Sequence, residues 1–127
     1  MFPKATIVKT GDKHAEMVKY FTNCFLATKV SFANEMYNIC QQLDLDYDKV
    51  VEYATYDERL GKSHWAVPGP DGDFGYGGHC LPKDLSAIVS EFDTYGLLEA
   101  VEQVNDQVRE DRDWEHMVGR AVLEEED

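Results

Sequence analysis

KHAEMVKYFTNCFLATKVSFANEMYNICQQL, residues 13–43, runs without a proline or a glycine. Nothing in it breaks a helix, and a helix of this length would be ~46 Å long at the α-helical rise. Its apolar residues are not confined to one stripe. Met17, Phe21, Cys24 and Phe25 mark one side, while Val18, Leu26, Val30, Ala33, Tyr37 and Cys40 wander round the others. A helix apolar on several sides must be covered on several sides. In a chain of 127 residues the missing cover is expected from a second copy, which predicts a homodimer packed along this helix. Lys19 and Asn23 interrupt the apolar pattern four residues apart, so they face the same way. They form either a solvent stripe or a pair aimed into a cleft, and spacing alone leaves both open.

The rest of the chain reads as shorter helices gathered round the long one, an all-α fold. Leu43–Asp48 is a turn. Tyr47–Tyr56 is a short helix with Val50, Val51 and Ala54 inward. Asp57-Glu58-Arg59-Leu60-Gly61 ends it, with Gly61 as a left-handed cap. Residues 61–79 hold two prolines and six glycines, an irregular stretch of the length that usually carries function.

That loop delivers Gly75-Tyr76-Gly77-Gly78-His79-Cys80-Leu81-Pro82-Lys83-Asp84. Pro82 suits the first position of a helix, and Leu85, Ile88, Val89 and Phe92 follow at helical spacing. Cys80 is thus expected just before a helix N-terminus, where free N–H groups favour a thiolate over a thiol. One reading is a nucleophilic cysteine, with glycine N–H groups holding a substrate and Lys83 and Asp84 close by. The other is a glycine turn, an inert cysteine and a capped helix. The helix from Pro82 is expected to stop near Gly96. A last helix follows over about Leu97–Arg109, with Leu98, Val101, Val104 and Val108 apolar. The organisation is an entry arm or remnant of a preceding domain (1–12), a helical domain (13–110) and a C-terminal segment (111–127) packed around Trp114 and ending in an acidic tail.

The formal net charge is −13, and residues 99–127 alone hold eleven acids against three arginines. Such a balance argues against a nucleic-acid partner, whose phosphates need Lys and Arg. No stretch is apolar enough to span a membrane, and the N-terminus shows no basic region followed by an apolar run. Three cysteines form no C-x-x-C pair, and four histidines are scattered without metal-ligand spacing. The expectation is a cytoplasmic protein without a metal site.

Five blocks together resemble the nucleotide-sugar (UDP-glucose/GDP-mannose) dehydrogenase family, and most closely its UDP-glucose-oxidising branch. They are Ala15–Asn23, Ser31–Glu35, Asp57–Gly61, Val67–Pro70 and Gly75–Asp84, in the family's order and at its spacings. The resemblance covers the family's central, helical, dimer-forming domain, whose fold is like the C-terminal domain of 6-phosphogluconate dehydrogenase. It implies oxidation of a UDP-sugar C6 alcohol to the uronic acid in two hydride transfers to NAD. By the resemblance, Cys80 is the nucleophile, Lys19 and Asn23 stabilise the oxyanion, and Asp84 acts with Lys19 on water. Lys83 and Cys80 face the nicotinamide. Phe74, Gly75, Tyr76 and Gly77 line the sugar nucleotide, and Arg59 reaches the substrate of the partner subunit. No G-x-G-x-x-G opens a βα unit here, so NAD is expected to be held mainly by a domain absent from this chain. The isolated chain is therefore expected to be inactive. The alternative is a non-catalytic homodimerisation or regulatory module.

Overall fold

The computed structural model describes residues 13–110. Four α-helices and one short 3-10 turn make up the regular structure of these residues: α1 (Lys13–Gln42), α2 (Tyr47–Ala54), the turn Glu58–Leu60, α3 (Cys80–Glu91) and α4 (Leu97–Val108). No strand occurs among the described residues. The entry arm and the Trp114 segment lie outside them.

Helix α1 is the spine, and α2, α3 and α4 all pack against it. The side it turns inward is a run of small or polar-tipped residues, Tyr20, Cys24, Ala27, Ser31 and Asn34, at spacings of three and four. Tyr20, Cys24 and Ala27 meet Leu85, Ala87 and Ile88 of α3, Val101 of α4 and Tyr76 of the loop in one cluster. Small residues on α1 let α3 approach closely enough for Leu85 to be fully buried. A second cluster, toward the C-terminal end of α1, joins Ala33, Cys40, Tyr47 and Val67, with Tyr37, Trp65 and Phe74 against it. The glycine-rich loop therefore has one ring in each cluster, Phe74 in the second and Tyr76 in the first.

The structure changes four local expectations. In α2, Val50 and Ala54 are exposed, and the helix is seated instead by Tyr47, whose hydroxyl donates to the Trp65 carbonyl at 2.7 Å. An eight-residue helix needs one large anchor more than a full apolar face. Helix α3 begins at Cys80, so Pro82 is its third residue; the first-turn amides have no partner within the helix, so proline is tolerated there. The same helix ends at Glu91, five residues before Gly96, which instead precedes α4 with φ +103°. Gly61 has positive φ but extended ψ (70°, 168°), and its N–H donates to the Glu58 carbonyl, closing the 3-10 turn rather than α2.

The other side of α1 is bare. Val18, Phe21, Phe25, Phe32 and Ile39 are each at least 45% exposed, a stripe that the described residues leave largely uncovered, with the Phe32 ring edge-on to Trp65. No helix of the described residues is long and apolar enough to cross a membrane.

Candidate active site

The site forms where α1 meets the start of α3. Asn23, on α1, donates its side-chain amide to Asp84 Oδ2 on α3 at 2.6 Å. Asp84 is fully buried, and its second oxygen, Oδ1, has no hydrogen bond. Lys83 Nζ stands 3.7 Å from that oxygen, beyond hydrogen-bonding distance but within ion-pair range. A buried carboxyl with one arm tied and one arm unsatisfied costs stability, so an occupant for that oxygen is favoured. Tyr20, beside Asp84, has its phenol pushed up by burial and then by the charges of Asp84 and Glu16. Burial and Asp84 likewise push the Cys24 thiol up to about 11, which marks it as an inert core cysteine.

Cys80 lies one turn before Asp84, at the first residue of α3, and is exposed. His79 precedes the helix without any side-chain capping bond, so the helix end beside the thiol is left to the backbone. Lys19 lies one turn before Asn23 on the same face of α1; it is exposed, with its ammonium 5.5 Å from the Tyr20 ring centroid. Thus Asn23, Lys83 and Asp84 are in direct contact. Cys80 and Lys19 each extend the pair by one helical turn.

The loop leading to Cys80 is held by side chains the sequence did not single out. The Asn105 side chain, buried on α4, accepts from the Tyr76 N–H at 2.8 Å and donates to the Tyr76 carbonyl at 3.0 Å. Asn34 accepts from the Gly75 N–H at 3.1 Å and donates to the Val30 carbonyl. Arg109, its side chain buried, reaches Asp71 at 2.6 Å, Asp73 at 3.5 Å and the Phe74 carbonyl at 3.5 Å. The Phe74 ring packs on Tyr37, and the Tyr76 ring is buried. Phe74 and Tyr76 are therefore anchors through their rings, and the amides of Gly75 and Tyr76 are already bonded within the protein. Gly77 is left partly exposed. The signal for Asn105 was present: it sits four residues after Val101, on the buried side of an otherwise apolar face.

Arg59 lies away from this cluster. It is exposed and forks onto Asp57 with three hydrogen bonds of 2.6–3.2 Å. It borders a groove of about 290 Å³ whose other lining residues are Phe25, Thr28, Lys29, Phe32, Leu60 and Trp65. Lys29 is buried there, donating to the Leu60 carbonyl at 3.0 Å with its ammonium 4.6 Å from the Trp65 ring centroid. Trp65 Nε1 in turn donates to the Gly61 carbonyl.

Residues 13–107 match the family model described as the UDP-glucose/GDP-mannose dehydrogenase family, central domain. With the helical spine and the Asn23–Asp84 junction in view, the chain belongs to that family. Individual relatives narrow the likeness. The chain is 38% identical over 109 residues to UDP-glucose 6-dehydrogenase TuaD of Bacillus subtilis, a match covering 83% of this chain and 23% of the relative. It is 40% identical over 104 residues to UDP-glucose 6-dehydrogenase AglM of Haloferax volcanii (79% and 23%). It is 44% identical over 85 residues to GDP-mannose 6-dehydrogenase of Azotobacter vinelandii (66% and 19%). The chain thus spans about a quarter of the length of the curated relatives it matches.

Proposed function

We propose that this chain is the central catalytic and dimer-forming domain of an NAD-dependent nucleotide-sugar dehydrogenase, acting on a UDP-sugar. The observation that carries the reading is the buried Asp84 carboxyl, tied to Asn23 through one oxygen and left without a hydrogen bond on the other. A scaffold has no use for that arrangement, whereas a site that must hold a water against a reacting carbon does.

NAD, when bound, supplies the hydride acceptor. The described residues form no βαβ unit to cradle a dinucleotide, so this chain would meet it only through Cys80 and Lys83, with the rest held elsewhere. The chain's own residues do the remaining work. After the C6 alcohol has lost one hydride, the Cys80 sulfur forms a bond to the aldehyde carbon. Lys19 and Asn23 stabilise the negative charge that develops on the oxygen. Loss of a second hydride from this thiohemiacetal leaves a thioester on Cys80. Water held at Asp84 adds to the thioester carbon, the C–S bond breaks, and the uronic acid departs as the thiol is regenerated. Gly77 and the neighbouring loop backbone line the sugar nucleotide. Two copies pack along α1, covering its bare apolar stripe, and Arg59 reaches the partner's substrate.

The test is NADH formation from UDP-glucose by an enzyme containing this chain as its central domain. Turnover is expected, and Cys80→Ala and Asp84→Asn are each expected to lower it by about 10³-fold or more. Turnover that survives both substitutions would overturn the proposal.

A further inference from the structure

Gly75, Gly77 and Gly78 make the approach to Cys80 the loosest backbone in the loop, and Gly75 and Gly78 both sit at positive φ, 72° and 79°. Glycine loses more conformational freedom on ordering than any other residue, so such a stretch takes one path only where something grips it. The grip is at Tyr76. Its N–H and its carbonyl are both bonded by the Asn105 side chain, and its ring lies in the cluster with Leu85, Ile88 and Val101. Asn105 is itself fully buried, and a Cβ on Gly75 would run into it, so loop and helix α4 meet with no room to spare. Cys80 is fixed in another way, as the first residue of α3. Gly77, Gly78 and His79 thus bridge two anchored ends.

We infer that Asn105 is a positioning residue for substrate binding: by holding Tyr76 it sets the 77–79 span in its ligand-ready path before the sugar nucleotide arrives. The identity of that ligand rests on the proposed function. Upstream of Tyr76 the loop has other holds, since Asn34 takes the Gly75 N–H and Arg109 reaches the Phe74 carbonyl. Removing the Asn105 carboxamide therefore releases the chain just where it turns toward the site.

The groups that carry the chemistry are held without Asn105. The Asn23–Asp84 hydrogen bond joins α1 to α3 directly, and Cys80 belongs to α3. A looser 77–79 span must be ordered by the substrate when it binds, which weakens ground state and transition state alike. The signature is a raised KM with kcat little changed. A side chain needed only for folding gives the opposite pattern: its loss lowers the folded fraction, so apparent kcat falls while KM stays.

Steady-state kinetics with UDP-glucose at saturating NAD, in an enzyme carrying this chain as its central domain, separate the two. Asn105→Ala is expected to raise KM about tenfold, the change that follows when the backbone of one residue is ordered at binding instead of beforehand, and to keep kcat within about threefold. Asn105→Asp keeps an acceptor for the Tyr76 N–H, is expected to give an intermediate KM, and serves if the alanine variant does not fold. Gly72→Ala, in the same loop with open space around it, is the stability control and is expected to keep the wild-type KM. In hydrogen exchange of the full chain read by mass spectrometry, residues 76–79 are expected to exchange faster in Asn105→Ala, with α1 unchanged. Wild-type KM in both Asn105 variants, or a fall in kcat alone, would overturn the inference while wild-type turnover leaves the proposed function standing. A wild type without turnover would count against the proposed function, and exchange at 76–79 unaltered by Asn105→Ala would overturn the positioning role independently of it.

Discussion

The Asn105 side chain grips the backbone of Tyr76 twice, accepting from its N–H at 2.8 Å and donating to its carbonyl at 3.0 Å. One side chain on α4 thus does for the loop what a neighbouring strand would do, and it fixes the chain four residues before Cys80. Asn105→Ala would leave both backbone groups of Tyr76 buried and unpaired. The expected cost is about 2–4 kcal/mol of unfolding free energy. Urea unfolding followed by circular dichroism would measure it, and Asn105→Asp would recover only the acceptor half of the grip.

Gly75 is required on two counts. Its φ is +72°, and a Cβ there would run into the Asn105 side chain. Gly75→Ala is expected to destabilise by about 2–4 kcal/mol, combining left-handed strain with the displaced amide. Gly72, also at positive φ but with open space around it, is expected to lose only about 1 kcal/mol as Ala. The comparison separates collision from backbone strain.

The clamp at Arg109 has a pH signature. The guanidinium holds the Asp71 carboxyl below its usual value. A carboxyl whose pKa is lowered by folding stabilises the fold above its unfolded value and loses that contribution as pH falls through the folded one. Wild type is therefore expected to lose stability below about pH 4 that Asp71→Asn never had, so their urea midpoints converge in acid. Midpoints that stay equally separated from pH 6 to pH 2.5 would show that the ion pair contributes nothing.

Thiol counting distinguishes the three cysteines. Cys24 and Cys40 are buried and Cys80 is exposed. Ellman's reagent is expected to titrate one thiol rapidly in the native chain and three in guanidinium chloride. In Cys80→Ser the rapid phase should vanish. Two fast native thiols would mean that the core around Cys24 opens readily.

Much of this was legible in the chain itself, for identifiable reasons. Uninterrupted helix-forming residues from Lys13 onward fixed α1, and apolar spacing fixed the inner faces of α3 and α4. The glycine–cysteine–proline block placed Cys80 to within a residue of where its helix begins. Helix ends were read less well, because Glu91 and Gly96 are separated by Phe92-Asp93-Thr94-Tyr95, which carries no proline to force the stop. Long-range polar partners were not readable at all. Nothing local says that Asn105 will meet Tyr76, or that Lys29 will be covered by Trp65, since those pairings depend on how helices dock. The inward Val50 and Ala54 failed for the same reason: α2 is placed by one tyrosine reaching across to residue 65.

Asp84 offers a test of whether a residue serves the fold or the reaction. Its Oδ1 is buried without a hydrogen bond, so the fold gains little from that oxygen. Asp84→Asn is expected to unfold within about 1 kcal/mol of wild type, while Asn23→Ala, which strips Oδ2 of its donor, is expected to cost about 1–3 kcal/mol. A large loss of stability in Asp84→Asn would mark the carboxylate as structural.

The chain on its own is expected to form no NADH from UDP-glucose, because residues 13–110 form no βαβ unit of the kind that cradles a dinucleotide. The decisive measurement is made in an enzyme that carries this chain as its central domain: the yield of NADH per UDP-glucose consumed, with and without the Cys80 sulfur. The account predicts two NADH per sugar for the wild type and a fall in turnover of about 10³-fold or more for Cys80→Ala. A Cys80→Ala enzyme that makes uronic acid at the wild-type rate would contradict it.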